Sequence, residues 1–201
     1  MSRVSAEQVA EHERAVERSR ELAPEDSTAL MLWGNAQMMR GRADLALPAV
    51  EKAASLAPSY PAAHGLIAQA LLMLGRTDEV QDKADRAVEL GAGTPRWVGM
   101  AYALAAEAAF MRGEDDRAYE LASRSIAAMP SNYYGHATLA AIDALAGRDR
   151  QAAEAMATFL KLWPTATVAR YDELRPSTHP AYLAQRTRFQ EGLRKAGLPE
   201  R

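Results

Sequence analysis

Glycine and proline recur along this sequence at nearly constant spacing, and this spacing restricts the fold more than any other feature. Four glycines, each followed by a polar residue, separate stretches rich in alanine and leucine: Gly41, Gly75, Gly113 and Gly147. Prolines keep the same phase, with Ala92 at the place where one is missing: Pro24, Pro58, Pro130 and Pro164. A period of about 34 residues indicates an array of short units rather than one globular core.

Each unit is predicted to be a pair of helices. Glycine adopts the left-handed conformation that ends many helices, and proline cannot continue a helix but is tolerated in its first turn. In LAPSYPAA, Pro58 therefore ends one helix and Pro61 begins the next. Helices joined by such short turns pack antiparallel. Alternating β-branched and aromatic runs are absent, so the sequence predicts an all-α fold in which stacked pairs supply the core for one another.

A helix, a glycine turn, a second helix and a proline joint at this period resemble the tetratricopeptide repeat. Four units match the pattern: residues 27–60, 61–94, 99–132 and 133–164. Small residues stand where helices approach closely: Gly34, Ala68, Ala106 and Ala140 on first helices, and Ala46, Ala118 and Ala152 on second ones. The resemblance implies a right-handed α-solenoid whose first helices line a concave surface.

Both ends of the chain depart from this pattern. Residues 1–26 fit only the second helix of a repeat, so we expect a partial N-terminal repeat and, from that, the C-terminal portion of a larger protein. Residues 165–201 are predicted to form capping helices. In the last of these helices Tyr182, Phe189 and Leu193 form one apolar stripe, and we expect the stripe to pack against Phe159 and Leu162. A structural cap is the favoured interpretation, and a detachable partner-binding or self-inhibiting helix is the alternative.

Two details of these segments carry further expectations. Four extra residues precede the third repeat, in GAGTPRWVGM, and predict an added turn that is capped by Thr94 and displays Trp97. At the C-terminus, Gly197 is expected to end the last helix with Leu198 against Leu193.

The string GLRKAGLPE after the array is similar to the C-termini of certain bacterial multidomain proteins. Those proteins carry a class III adenylate or guanylate cyclase domain, or a winged-helix DNA-binding domain, before the repeats. The resemblance implies an alternative function: a regulatory C-terminal segment that acts on its own upstream domain. None of the catalytic or DNA-reading residues of such domains has a counterpart here.

Composition excludes several function classes. The chain has 24 Lys and Arg against 26 Asp and Glu, and basic and acidic residues alternate along the helices, which is typical of solvated faces rather than a nucleic-acid surface. It has no cysteine, which excludes thiol catalysis, disulfides and Cys-ligated zinc. It has no membrane-spanning apolar stretch and no apolar signal core. We expect a cytoplasmic protein with neither nucleic acid nor membrane as a partner.

Residues with catalytic or metal-binding chemistry form no known motif. His64 and His136 share one repeat position, where a structural role at the helix seam is expected, while His12 and His179 lie in an exposed helix and a loop. Asp143 occupies a usually aromatic position and is expected to pair with a neighbouring arginine or reach solvent. Zinc, phosphate-loop and serine-hydrolase motifs are absent. We predict no catalytic residue, no metal, no cofactor and no enzymatic activity.

By the resemblance, positions 2, 5, 9, 12 and 13 of each repeat line the concave groove, Gly65 among them. With Trp97 from the added turn, the predicted partner-binding residues are Met31, Asn35, Met38, Met39, Gln69, Leu72, Met73, Trp97, Met100, Glu107, Phe110, Met111 and Tyr134. This groove is apolar, rich in methionine and nearly uncharged. It suits an apolar or amphipathic segment of a protein or peptide. Only Asn35 matches the clamp that some family members use for a peptide carboxylate.

Two alternatives stay open for these methionines: they pack the core between helices, or an upstream domain of the same protein covers them. The alternative partners are that upstream domain and, in a homo-oligomer, a second copy of the chain. The function predicted from the sequence is a non-catalytic scaffold that binds a protein or peptide along the groove.

Overall fold

Helices make up all the regular structure in residues 6–201, the part of the chain that the computed structural model describes. The helices are α1 (Ala6–Leu22), α2 (Ser27–Met39), α3 (Ala43–Leu56), α4 (Pro61–Met73), α5 (Val80–Leu90), α6 (Pro95–Met111), α7 (Asp115–Ala128), α8 (Tyr133–Leu145), α9 (Asp149–Leu162), α10 (Val168–Asp172) and α11 (Pro180–Lys195). A 3-10 turn at Thr77–Glu79 precedes α5. No strand occurs in this range, and the predicted all-α fold is confirmed.

Consecutive helices from α2 to α9 form four pairs, and the pairs stack. Within a pair, the turn glycine has a positive φ, from 71° to 83° at Gly41, Gly75, Gly113 and Gly147. Glycine reaches this conformation without the steric penalty that a Cβ would add. Each first helix packs on its own second helix and on the first helix of the next pair, so that α2, α4, α6 and α8 form one continuous inner layer.

Close packing between the helices of a pair depends on small residues. A Cβ added to Gly34 in α2 would lie 2.5 Å from Cγ1 of the buried Val50 in α3. Ala46, Ala118 and Ala152 are buried at the corresponding seams. The small positions expected from the sequence therefore lie where helix backbones approach each other.

The added turn before the third repeat is present. Helix α6 has 17 residues, whereas α2, α4 and α8 each have 13. Thr94 stands at the N-cap position of α6, but its side chain makes no capping hydrogen bond, contrary to expectation. Instead, its backbone carbonyl accepts hydrogen bonds from the amides of Trp97 and Val98.

Helix α1 packs on α2 at the N-terminal end of the stack. Its Val16 is buried, and Glu17 accepts a hydrogen bond from the Trp33 indole nitrogen at 2.9 Å. Arg40 at the end of α2 forms an ion pair with Glu13 at 3.0 Å. Residues 1–5 of the predicted partial repeat, and the side chain of His12, lie outside the described part of the chain.

The C-terminal segment, residues 165–201, packs on the inner layer of the stack, with its most extensive contact on the last repeat. The stripe of Tyr182, Phe189 and Leu193 is buried, but against α6 and α8 on the inner layer. Tyr171 of α10 lies between Phe159 and Phe189, with ring centroids 6.1 and 5.4 Å away. Leu162, the other expected contact, is 38% exposed. Phe159 nevertheless shares the second core cluster with Phe189 and Leu193, as expected, whereas Leu162 does not belong to that cluster.

This segment forms a hairpin along the inner layer. From α10 the chain runs toward the N-terminal repeats, where the Ser177 hydroxyl donates to the carbonyl of Met73 and Pro176 lies against Gly41. Helix α11 then returns to the last repeat, where a Cβ on Gly192 would meet Ala141 at 2.7 Å. The segment thus touches all four repeats.

The end of α11 has the expected geometry. Gly197 has φ +94°, and the amide of Leu198 donates to the carbonyl of Leu193 at 3.0 Å. Leu198 is buried beside Leu193 in the second core cluster. This pattern is the Schellman arrangement predicted from the sequence.

Two glycine substitutions test the docking of this hairpin. Gly75 and Gly147 have nearly equal φ values, +71° and +72°, but only a Cβ on Gly75 would meet the C-terminal segment, 2.6 Å from the Tyr182 amide. We expect Gly147→Ala to lose about 1–2 kcal/mol of unfolding free energy through left-handed strain alone. Gly75→Ala should lose roughly 1–3 kcal/mol more, because it also overpacks the docked segment. Denaturant unfolding of both variants gives the comparison, and equal losses would contradict this docking.

Candidate partner-binding site

An open cleft with a volume of about 360 Å³ lies over the first halves of α2, α4 and α6. It is lined mainly by apolar side chains, among them Leu32, Tyr60 and Leu66, and all three helices contribute to it. The predicted groove residues that line it are Met31, Asn35, Gln69, Trp97 and Met100. These come from positions 2, 5 and 9 of the repeats and from the added turn. Five of the thirteen predicted groove residues therefore line an open cleft.

Seven other predicted groove residues lie in a half of the groove that the chain itself covers. The predicted residues beneath or against the C-terminal segment are Met38, Leu72, Met73, Glu107, Phe110, Met111 and Tyr134. Tyr182 joins the core cluster that contains Met38 and Met73, and Phe189 packs edge-on against Phe110 with ring centroids 5.8 Å apart. The expectation of an exposed groove is wrong for these residues in this structure, because apolar side chains of residues 165–201 occupy the space that a partner would need.

Met39 is the predicted groove residue that lies in neither half. It is 59% exposed and does not line the cleft. Met39 is the last residue of α2 and faces solvent, whereas the preceding Met38 is buried in the core.

Gly65 lines the cleft and contributes no side chain to it. It lies in the fifth position of α4, and a Cβ built on it would have nothing within 4 Å. Glycine in a helix interior is less favourable than alanine, by about 0.5–1 kcal/mol. No packing contact explains the glycine here, in contrast to Gly34. Its effect is to leave the floor of the cleft free of side-chain atoms.

The sequence analysis missed several lining residues, among them Arg96, Tyr60 and Leu32. Tyr60 and Leu32 are 43% and 47% exposed. Arg96 escaped notice because the third repeat was counted from residue 99, after the added turn that begins α6. Tyr60 directly precedes Pro61 at the start of α4, and Arg96 directly follows Pro95 at the start of α6.

Cationic side chains of the C-terminal segment meet acidic groups in the covered half. Arg175 donates to a Glu107 carboxylate oxygen at 2.6 Å, with both side chains almost fully buried, and its Cζ lies 4.6 Å from the Tyr134 ring centroid. Arg188 donates to the backbone carbonyl of Phe110 at 2.8 Å and to Asp115 at 2.7 Å.

Burial raises the pKa of Glu107, although the nearby Arg175 opposes this shift. The pKa of Arg175 is raised by the carboxylate of Glu107 against the effect of its own burial, so the guanidinium stays charged. The pair therefore depends on Glu107 to compensate a cation that cannot lose its proton.

The remaining polar candidates serve the fold. The ring nitrogen Nε2 of His64 lies 3.0 Å from the Pro58 carbonyl, and that of His136 lies 3.1 Å from the Pro130 carbonyl, so both bind the joint that precedes their repeat. Asp143 is buried and accepts a hydrogen bond from Arg148 at 2.7 Å, which agrees with the pairing expected for it.

Residues 6–201 contain neither a cluster of metal ligands nor a helix suited to span a membrane. In this range no three His, Cys, Asp or Glu side chains are grouped so that they could hold a metal ion. None of the described helices combines the length and the apolar character needed to cross a membrane.

Opposite stability changes are expected for two helical glycines. Gly65→Ala should raise the unfolding free energy by about 0.5–1 kcal/mol, because the new methyl group enters open space and restricts the unfolded chain. Gly34→Ala should lower it by roughly 1–3 kcal/mol, because the methyl group overlaps Val50. Urea unfolding measures both values, and a loss on Gly65→Ala would show that the glycine serves packing.

The buried pair is expected to respond asymmetrically to substitution. Glu107→Leu leaves a permanent buried cation and should cost about 3–5 kcal/mol at pH 7. Arg175→Met leaves a carboxyl group whose pKa burial already raises. Because a folded pKa above the unfolded value favours folding at low pH, its deficit should shrink as the pH falls toward 4.5. The double variant should lie within about 1 kcal/mol of the wild type or above it.

Chemical denaturation at several pH values provides this test. A deficit of Arg175→Met that grows on acidification, or a double variant as unstable as Glu107→Leu alone, would contradict the assignment.

Comparisons with known proteins agree with this architecture. A family model described as tetratricopeptide repeat matches residues 37–104, which include most of the cleft. No protein with a curated function matches the sequence significantly.

Several solved structures share the fold at low sequence identity. The type IV pilus biogenesis factor PilW has a TM-score of 0.68 and 16% identity, over 94% of this chain and 90% of its own. YrrB, described as a tetratricopeptide-repeat protein with an unusual peptide-binding site, has a TM-score of 0.56 and 18% identity, with 90% of each chain covered. A thermophilic repeat protein of Thermus thermophilus has a TM-score of 0.60 and 18% identity, over 90% of this chain and 88% of its own. The family match over residues 37–104 and these structures agree with a fold of stacked helix pairs similar to tetratricopeptide repeats.

Proposed function

We propose that this protein is a non-catalytic scaffold that binds an apolar or amphipathic segment of a partner protein in the open cleft. The observation that carries the proposal is the cleft itself: three successive first helices present apolar side chains around a floor that Gly65 leaves bare. Proteins with this repeat fold bind protein or peptide partners, and YrrB is described as having a peptide-binding site.

The dimensions of the cleft suit side chains rather than a whole domain. A volume of about 360 Å³ lies at the lower end of the range of ligand pockets, roughly 300–1,000 Å³. Asn35 and Gln69 stand beside the apolar surface and have amide groups that can bind the backbone of an extended or helical segment. Met31 and Met100 are unbranched and adapt to more than one side-chain shape. A short segment with one or two large apolar side chains is the ligand that fits.

The covered half of the groove limits this function to the first three repeats. While the C-terminal segment is docked, Phe110, Leu72 and Met73 are buried and do not contribute to binding. The partner therefore meets the edge formed by the beginnings of α2, α4 and α6. Regulation of an upstream cyclase or winged-helix domain, and a cytoplasmic location, stay predictions of the sequence.

A peptide-display selection tests the proposal. A library of random 12-residue peptides is panned against the wild-type chain, and the enriched peptides are synthesised and titrated by fluorescence polarisation. We expect them to contain large apolar residues and to lose at least about tenfold in affinity on Gly65→Phe, because the new ring fills the space that the partner needs.

The matched control is Ala127→Phe, which adds the same ring to an exposed position of α7 outside the cleft. Circular dichroism and thermal unfolding establish that both variants are folded. Failure to enrich any peptide, or equal affinity of the enriched peptides for Gly65→Phe and the wild type, would overturn the proposal.

A further inference from the structure

Two residues of the cleft indicate which chemistry its partner carries. We propose that the partner segment inserts one bulky apolar side chain over Gly65 and places a carboxylate against Arg96. The inference rests on the proposed function, since it concerns the same cleft, and it adds the class of ligand and the residues that select it.

Gly65 differs from the other helical glycines in the described part of the chain. A Cβ on Gly34, Gly99, Gly135 or Gly192 would lie 2.5 to 2.9 Å from a neighbouring helix, whereas a Cβ on Gly65 would meet nothing within 4 Å. The first four are required by packing inside the protein. Gly65 instead permits close approach from outside, which is the remaining use of a glycine in a helix interior. The place for an incoming side chain is therefore directly over its Cα.

The surroundings of Gly65 set the kind of side chain. The cleft around it is lined by Met31, Leu66, Trp97 and Met100. Leu66, Trp97 and Met100 are half-buried, so each still has apolar surface in contact with solvent. A leucine, phenylalanine or tryptophan from the partner would remove that surface from water, which is the main source of affinity at such contacts.

Arg96 sets the charge of the partner. Among the described residues that line the cleft, it alone is charged, and it is exposed at the beginning of α6. It forms no ion pair within residues 6–201, and its guanidinium Cζ lies 5.9 Å from the centroid of the Trp97 ring. An arginine beside an aromatic wall, without an acidic partner, is suited to bind a carboxylate.

Charge complementarity also holds, with opposite signs, at the edge of the groove that the C-terminal segment covers. There, near the ends of α4 and α6, Glu107, Asp115 and the Phe110 carbonyl receive Arg175 and Arg188 of the chain's own C-terminal segment. The first helices run parallel, so the open edge holds their beginnings, where the helix dipole favours negative charge. Neither α4 nor α6 has a capping side chain at this end. Charge complementarity therefore favours an acidic occupant at the open edge.

The test uses defined peptides with the wild-type chain and variants. The probes are the 12-residue peptides enriched by display, acetylated and amidated so that side chains are the only source of carboxylate. Each is also made with its large apolar residue changed to alanine, and with its acidic residues changed to lysine. A further set lacks acidic side chains but has a free C-terminus, which separates a terminal carboxylate from Asp or Glu.

Two complementary exchanges are expected. Gly65→Leu should weaken the parent peptide at least about tenfold, yet bind the alanine peptide as well as the wild-type chain does or better, because the new side chain replaces the missing one. Arg96→Glu should bind the acidic peptide about fivefold more weakly than the wild-type chain does, and it should prefer the lysine form of the peptide. The affinity of Arg96→Gln for the acidic peptide should lie between those of the wild type and Arg96→Glu. Added salt should reduce the Arg96 effect and leave the Gly65 effect unchanged.

The outcomes separate this inference from the proposed function. If Gly65→Leu weakens binding while Arg96→Glu changes affinity less than twofold, the cleft binds peptides but the acidic ligand class is wrong. If Gly65→Leu weakens the alanine peptide as strongly as it weakens the parent peptide, the side chain is not placed over Gly65. If neither variant changes binding, both the inference and the proposed function fail.

Discussion

The constraint on which this structure depends is that no helix pair can hide its apolar face alone. Each of the four pairs lends its surface to the next, and the backbone separation needed for this is set by small residues such as Gly34 and Ala46 at the seams. A linear stack solves the problem between repeats but leaves the inner layer of α4, α6 and α8 uncovered. The chain solves this second problem with its own C-terminal segment, which buries Phe110, Leu72 and Met73.

The docked C-terminal segment divides the concave surface into a covered part and an open part, and these two parts also differ in the backbone groups that they expose. Because the first helices are parallel, their ends form an edge with exposed carbonyls and their beginnings form an edge with exposed amides. The C-terminal segment brings arginines and a serine hydroxyl to the first edge, where Ser177 and Arg188 bind the carbonyls of Met73 and Phe110. The second edge keeps an apolar cleft and Arg96. The open cleft is thus the part of the concave surface that the C-terminal segment leaves uncovered.

The parts of this fold that could be predicted from sequence are those encoded locally. Glycine turns, proline joints and the extra turn of α6 depend on a few adjacent residues, and the final Schellman turn depends on Gly197 and Leu198 alone. The route of the C-terminal segment could not be predicted in the same way. Its decisive contacts join Glu107 to Arg175 and Met73 to Ser177, across 68 and 104 residues, and no local pattern pairs these positions. A methionine in an open groove and a methionine under a docked segment have the same sequence signal, so the apolar pattern at groove positions could not distinguish the two.

The glycines of the first helices also show that local sequence does not reveal the surroundings of a residue in the candidate site. Gly34 and Gly65 are both glycines in the first helix of a repeat, and only their surroundings distinguish a required contact from an open floor. A helix interior loses about 0.5–1 kcal/mol to glycine in either case. At Gly34 the loss is recovered through close packing with Val50, whereas at Gly65 no contact within the protein recovers it. A stability loss without a packing return is typical of positions that serve binding rather than folding. The physical case for the cleft therefore rests on Gly65 in α4, whose cost to helix stability no contact within the protein offsets and a partner's side chain would offset.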